Sequence, residues 1–467
     1  MPLRLAADRR SLMDRLRQAT ATLVACGLVA AGCPAPAAAQ SSRGLPVIRD
    51  AEIESLLRDY MTPIFRASGV GAGVVEITIV NSREFNAFVA DGRRIFVNAG
   101  TLMDAKTPNE VIGVLAHETG HIAGGHLARM RQQIDNMQTM AIAAMLLGAG
   151  AVGAAMVGGS RSAGDAALGA VMGPQEVIRR SLLSYQRTQE EAADRAAVSY
   201  LNKTKQSAKG MLVTFKRFAD QIAFSRRFID PYAQSHPMPQ DRIENLEALA
   251  EKSPYYNTTD SPALQARHDM MRAKLFGFID TPDGVGRRYP PSDQSLPARY
   301  ARAIATYRSA PLQGAIAQID GLIAAQPQNP YFHELKGQAY LENGKPKQAI
   351  PELRQAVALA PGAPLIRTML GQALNTGGDS KTALSELTRA TAVDTKNAAG
   401  YRELAQAYAR QNKLPEADLA TAQAAFAEGD YGTARQIAER AKKGLKPGTP
   451  NWLKADDLAT YKPQKMD

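Results

Sequence analysis

The sequence predicts a mainly helical α+β domain followed by an α-solenoid. Three observations predict it: a helix, strand, hairpin, helix order early in the chain, a 34-residue periodicity late in it, and a Pro/Gly-rich run between the two. At 467 residues the chain is also too long for one core, so two domains of ordinary size are expected.

The N-terminus carries Arg4, Arg9, Arg10, Arg15 and Arg17, an apolar run from Ala19 to Gly32, and Ala37-Ala38-Ala39 before Gln40. That order reads as a signal peptide cleaved after Ala39, because the apolar run is too short to span a bilayer and small residues suit a signal peptidase. The expected compartment is the periplasm. Ala30-Ala31-Gly32-Cys33 resembles a lipoprotein cleavage box with Ala30 in place of the usual leucine, so lipid anchoring is the secondary reading. Both cysteines, Cys26 and Cys33, lie in this segment, which leaves no disulfide framework and no CxxC metal site downstream. The formal charge is +11; five Arg against Asp8 and Asp14 put +3 in the signal and leave +8 on the remainder. An exported basic protein meets acidic proteins or anionic lipid, and nucleic acid is not an expected partner.

Residues 51 to 66 place apolar side chains at helical spacing. Val74 to Val80 is a β-rich run, and Phe88-Val89-Ala90 joins Arg94-Ile95-Phe96-Val97 through Asp91-Gly92, a hairpin signal. A helix starts at about Pro108 behind Thr107 as its N-cap. From Met140 to Gly159 there are 20 uncharged residues, of which twelve are Ala or Gly, so the segment is too weakly apolar for a span. It is expected to be a flap or interfacial segment making peripheral membrane contact, with a buried core helix as the alternative.

From about Pro297 the chain becomes Ala- and Leu-rich. Gly337, Tyr340, Gly344, Ala349, Leu353 and Ala356 are answered 34 residues later by Gly371, Leu374, Gly378, Ala383, Leu387 and Ala390, and then by Ala405, Tyr408, Asn412, Ala417 and Ala424. This is the tetratricopeptide signature, in which small residues let two antiparallel helices touch while large ones fill between them. Near the end the spacing halves to 17, the turn role of Asn412 passing to Gly429, as at a terminal cap. The expected segments are a signal at 1–39, the α+β domain at 40–260, a helical linker at 261–296, the repeats at 297–445 and a tail at 446–467.

Of six histidines, His117, His121 and His126 fall within ten residues. His117-Glu118-Thr119-Gly120-His121 is H-E-x-x-H on a predicted helix, so both imidazoles share one face while Glu118 stands beside them to deprotonate a water. A catalytic zinc needs a third protein ligand. The metzincin spacing would place a histidine where Leu127 stands, and His126 is one residue short. Gln189-Glu190-Glu191-Ala192-Ala193-Asp194 offers a glutamate from a second helix, and spacing leaves Glu190 and Glu191 both open. On an unbroken helix, His126 would turn away from the metal face, which makes it a supporting residue rather than a ligand.

His117-Glu118-x-x-His121 with His126 following, Asn86-Ala87-Phe88 upstream, and Arg187-x-x-Glu190-x-x-Ala193-Asp194 downstream resemble the gluzincin metallopeptidases that include the CAAX prenyl endopeptidases and HtpX. The resemblance implies a zincin domain with Zn2+ held by His117, His121 and Glu190, Glu118 as base, and Arg187, His126 and Asp194 supporting the ligands. It further implies that His236, in Ser235-His236-Pro237, stabilises the oxyanion or covers the metal, and that Asn86, Ala87, Phe88 and Arg242 meet the substrate. Gly125 and Glu191-Ala192 depart from the usual pattern. With an export signal and terminal repeats, the implied activity is proteolysis of unfolded or misfolded proteins in outer-membrane quality control, with β-barrel precursors and their assembly machinery as partners. A chaperone or assembly scaffold with latent protease activity is the rival; an intact Glu118 speaks for catalysis.

Overall fold

The computed structural model describes residues 45–463 apart from 72, 91, 138, 140–162, 225–235 and 238. The stretch expected as an export signal, 1–39, and the uncharged segment at 140–159 lie outside the described residues. No described helix is long and apolar enough to cross a membrane.

After a two-residue strand, β1 (Val47–Ile48), helix α1 (Ala51–Ser68) starts where the Asp50 side chain accepts from Ile53 N at 2.9 Å and ends where Gly69 adopts φ 76°. Its Ile53, Leu56, Leu57, Tyr60, Met61, Ile64 and Phe65 recur at three- and four-residue spacing and are all buried. Strands β2 (Glu76–Val80), β3 (Ala87–Val89) and β4 (Arg94–Asn98) complete a sheet of order β1-β2-β4-β3. The expected hairpin is present as the antiparallel β3/β4 pair with Phe88 opposite Phe96; β2 joins β4 in parallel, and β3 is an edge. After the short helix α2 (Ala99–Asp104), α3 (Pro108–Ala123) enters behind Thr107, whose hydroxyl accepts from Glu110 N. Helices α4 (Ala163–Lys203), α5 (Lys209–Phe224) and α6 (Gln240–Glu251) pack around it.

The stretch expected as a linker is largely helical, and its longer helix is buried. Helix α7 (Pro262–Ile279) sends Met271, Leu275 and Phe276 into the core of α1 and α3, and Met270 and Ala273 into the core of the first repeat. Beyond the short α8 (Pro282–Arg288), the repeats are five helix pairs: α9 (Leu296–Ser309) with α10 (Leu312–Ala325), α11 (Pro330–Glu342) with α12 (Pro346–Leu359), α13 (Pro364–Gly377) with α14 (Ser380–Val393), α15 (Ala398–Arg410) with α16 (Leu414–Ala427), and α17 (Tyr431–Gly444) with α18 (Pro450–Thr460). The periodic glycines act as their spacing implies. A Cβ on Gly337 would lie 2.5 Å from Leu353, and Gly371 meets Leu387 in the same way. Turn residues Gly344, Gly378, Asn412 and Gly429 all take positive φ. The segment expected as a tail contains α18, capped by Thr449, with Ala455 and Ala459 buried and Trp452 packed against the terminal core.

From Leu45 onward the chain forms one compact unit. Successive inter-repeat turns meet the N-terminal region. Ala51 packs on Ala356 and Ile366, Arg49 pairs with Asp394 at 2.6 Å, and Lys396 pairs with Glu76. At the centre of this contact Lys274 lies 2.7 Å from Asp50, 3.2 Å from Glu52 and 3.8 Å from Glu334, while Tyr300 donates to Glu52 at 3.0 Å. Burial works against the ammonium, yet the surrounding carboxylates hold its pKa well above the usual value. Removing the cation leaves buried carboxylates unpaired, so Lys274→Met should destabilise the protein by about 3–5 kcal/mol. Chemical denaturation should show the lower midpoint, and an unchanged midpoint would mean that water reaches this network.

Candidate metal centre

Helix α3 buries Val111, Ile112, Val114 and Leu115 and thereby fixes the face on which His117 and His121 stand. Gly120 between them has a steric role, because a Cβ there would fall 2.9 Å from the carbonyl oxygen of Ala193. That close approach brings α4 against α3 and delivers Glu190 to the two histidines. The Nε2 atoms of His117 and His121 are 3.0 Å apart, and Glu190 lies 3.3 Å from the first and 3.4 Å from the second. Tetrahedral zinc with ligands at about 2.0–2.2 Å sets them roughly 3.4 Å apart, so the donor set and spacing fit such an ion. Glu191, one residue on, is partly exposed and faces Arg195.

Glu118 is 1 % exposed, and among the described residues neither carboxylate oxygen has a hydrogen-bond partner. An orphaned buried carboxylate beside three converging ligand atoms is what a water-activating base requires. Burial raises its pKa above the ordinary carboxylate value, against the lowering effect of His236 and His117.

The supporting residues form a second layer. Asp194 lies one turn beyond Glu190 and 2.9 Å from His117 Nδ1, which orients the imidazole. Burial opposes a charge on His117, but Asp194 and Glu190 raise its pKa to about 9. Burial, reinforced by His117, keeps the His121 pKa well below the usual value. His126 joins this layer because α3 breaks at Gly124-Gly125, with Gly125 at φ 60°, so its Nδ1 returns to 3.0 Å from that of His121. The expectation of an unbroken helix is corrected by that turn.

His236 is buried among the ligands: its Nδ1 is 3.0 Å from Glu190 and its Nε2 is 3.6 Å from Glu118. Together with His117, His121 and Glu190 it completes a four-residue group whose candidate ligand atoms all lie within 4.8 Å of one another. Arg242, expected at the substrate, is 4 % exposed and turned inward. Its Nε and an Nη donate to Asp194 at 2.7 and 2.9 Å, the other Nη reaches Glu190 at 2.9 Å and Pro237 O at 2.8 Å, and the guanidinium lies over Phe215. It ties the His236 loop to α4, a role whose only sequence signal was an arginine shortly after His-Pro. Arg187, expected to support the ligands, is exposed on α4 about one turn before Glu190. Asn86 leads into the edge strand, its carbonyl accepting from Asn98 N and the Thr101 hydroxyl; Ala87 is fully buried and Phe88 stacks on Phe96.

Residues 48–250 match peptidase family M48, and residues 300–364, 340–402 and 415–440 match tetratricopeptide repeats. The cluster therefore lies within the stretch that matches the M48 family model. Among similar proteins, the β-barrel assembly-enhancing protease of Escherichia coli (strain K12) is 24% identical over 289 residues, 59% of this chain and 55% of the relative. The protein of the same name in Yersinia pestis is 25% identical over 286 residues, covering 59% and 56%. Metalloprotease YcaL of Escherichia coli (strain K12) is 29% identical over 174 residues, 37% of this chain and 61% of the relative. The matches thus span little more than half the length of the assembly-enhancing proteases. The M48 match extends from β1 through α6 and contains every residue of the cluster.

Proposed function

We propose that this protein is a zinc-dependent endopeptidase of the periplasm that cuts unfolded or misassembled polypeptides, its zinc held by His117, His121 and Glu190. The observation that carries this reading is the buried carboxylate of Glu118, without a hydrogen bond among the described residues, beside those three converging ligands. A zinc ion bound there supplies Lewis acidity toward a water and the scissile carbonyl. Glu118 takes the proton of the water as its oxygen attacks the carbonyl carbon, then returns it to the amine as the C–N bond breaks. Asp194 and Arg242 hold His117 and Glu190 in place throughout. Among the described residues the edge strand β3 has no strand on its outer side, where an extended substrate can add as a further strand, a mode that favours unfolded chains over a fixed sequence.

The domain division proposed is catalysis in residues 40–260 and holding of polypeptide chains by the repeats. The names of the relatives support β-barrel precursors and their assembly machinery as the clients, and the signal-like N-terminus supports export. The nearness of His236 to both Glu190 and Glu118 favours a resting state in which its loop covers the site, a latent protease that opens when substrate or a partner displaces the loop. Casein digestion by the purified mature protein tests both ideas. Chelator should abolish cleavage, and His236→Ala should raise it several-fold with zinc retained. A fall with zinc retained would instead make His236 a stabiliser of the oxyanion, and cleavage indifferent to chelator would reject the metal reading.

A further inference from the structure

Helix α5 approaches α3 without room for a side chain at Gly113. A Cβ there would fall 2.6 Å from that of Met211 and 2.8 Å from its backbone nitrogen. The start of α5 is fastened to α3 as well: Asn109 Oδ1 accepts from Gly210 N at 2.7 Å, and Asn109 Nδ2 donates to Ser207 O at 2.7 Å. Residues four apart share a helix face, so the contact of Gly113 with Met211 brings His117 and Phe215 together one turn further along both helices. Their ring centroids are 5.5 Å apart with the planes at 90°. Phe215 is fully buried, and the central guanidinium carbon of Arg242 lies over its ring at 5.3 Å. One side chain from α5 therefore touches both a proposed zinc ligand and the arginine that reaches Asp194, Glu190 and the His236 loop.

These two contacts supply what the polar neighbours leave out. Asp194 meets His117 at Nδ1 and the converging ligand atoms face its Nε2, but both act in the plane of the ring and leave it free to tilt. A perpendicular aromatic neighbour limits that tilt. Arg242 in turn directs N–H groups at the edge of its guanidinium to Asp194, Glu190 and Pro237 O. The flat face of a guanidinium is weakly hydrated and is well covered by an aromatic ring, whose negative π face attracts the cation most where water is excluded. We infer that Phe215 is a positioning residue of the metal centre, its ring holding the His117 imidazole and the Arg242 guanidinium in fixed orientations so that the ligand set is already in place when zinc arrives. This rests on the reading of the site as a zinc centre, and it assigns Phe215 no contact with substrate.

The zinc affinity of the full chain, measured by competition with a chromogenic chelator, tests the inference without a hydrolysis step. Phe215→Leu should lower the affinity by about tenfold or more, the size of effect that follows loss of an outer partner of a ligand. Phe218→Leu is the control. It removes a similarly buried ring from the same helix, one that pairs with Phe85 at 4.5 Å, and should change the affinity by less than about threefold. A ring-trifluorinated phenylalanine at position 215 keeps the shape of the side chain and weakens its negative face. It should lower zinc affinity by about threefold or more while thermal unfolding of the metal-free protein stays close to wild type, and it stands in for Phe215→Leu if that variant does not fold. The same residue at position 218 should leave the affinity as it is. Equal losses in the two Leu variants, or wild-type affinity with the fluorinated ring at position 215, would overturn the inference and make Phe215 a core residue only. Wild-type protein that takes up no zinc would instead overturn the zinc reading itself, and this inference with it.

Discussion

Glu118→Gln should leave zinc bound and lower casein hydrolysis by about 10²–10⁴-fold, the range associated with loss of a positioned general base. The substitution is nearly isosteric and spares His117, His121 and Glu190, so the metal content of the same sample should match wild type. The carboxylate has no hydrogen bond to lose among the described residues, and its contact with His236 is a long one at 3.6 Å. Burial of this group in the folded chain costs stability when it is charged, so Glu118→Gln should also raise the denaturation midpoint slightly. Substantial hydrolysis by a metal-loaded Glu118→Gln protein would mean that another group, His236 being the nearest, accepts the proton.

Glu190→Ala should strip most of the metal, whereas Glu191→Ala should retain it. Loss of an outer partner of a ligand typically costs about 10–100-fold in metal affinity, and loss of a ligand itself costs more. Glu190 is 4 % exposed and lies within 3.4 Å of both histidines, while Glu191 points toward Arg195 on the outer side of α4. Glu190→Ala also removes the carboxylate 3.0 Å from His236 and one of the carboxylates that Arg242 meets, so the His236 loop should loosen along with the metal. Metal analysis after dialysis separates the two variants. Retention by Glu190→Ala with loss in Glu191→Ala would require α4 to be rotated from the phase observed.

Much of the architecture was legible because it is local. The i and i+4 spacing of His117 and His121, the Asp91-Gly92 hairpin signal and the Thr107 cap each depend on a few consecutive residues. The repeats were legible for a related reason, since each position is specified several times and Gly344, Gly378, Asn412 and Gly429 mark equivalent left-handed turns. The His126 position was legible only in part: Gly124-Gly125 marks a break, but the direction in which the chain turns back depends on what packs against it.

The choice between Glu190 and Glu191 lay beyond spacing, and before the structure it rested on resemblance alone. Adjacent residues on a helix differ by about 100° in direction, so the choice needs the buried face of α4, and that face is set by the approach of Gly120 to Ala193 across 73 residues of sequence. The inward turn of Arg242 onto Asp194, the burial of α7 between both cores and the Lys274 network likewise join residues tens to hundreds of positions apart. By itself the sequence determined the two-part architecture, the histidine pair with its adjacent base and the repeat period, because backbone preference and side-chain periodicity act over short range. Only the tertiary structure decided which distant side chains meet, because that depends on how buried faces pack and on which buried charges are left to pair once water is excluded.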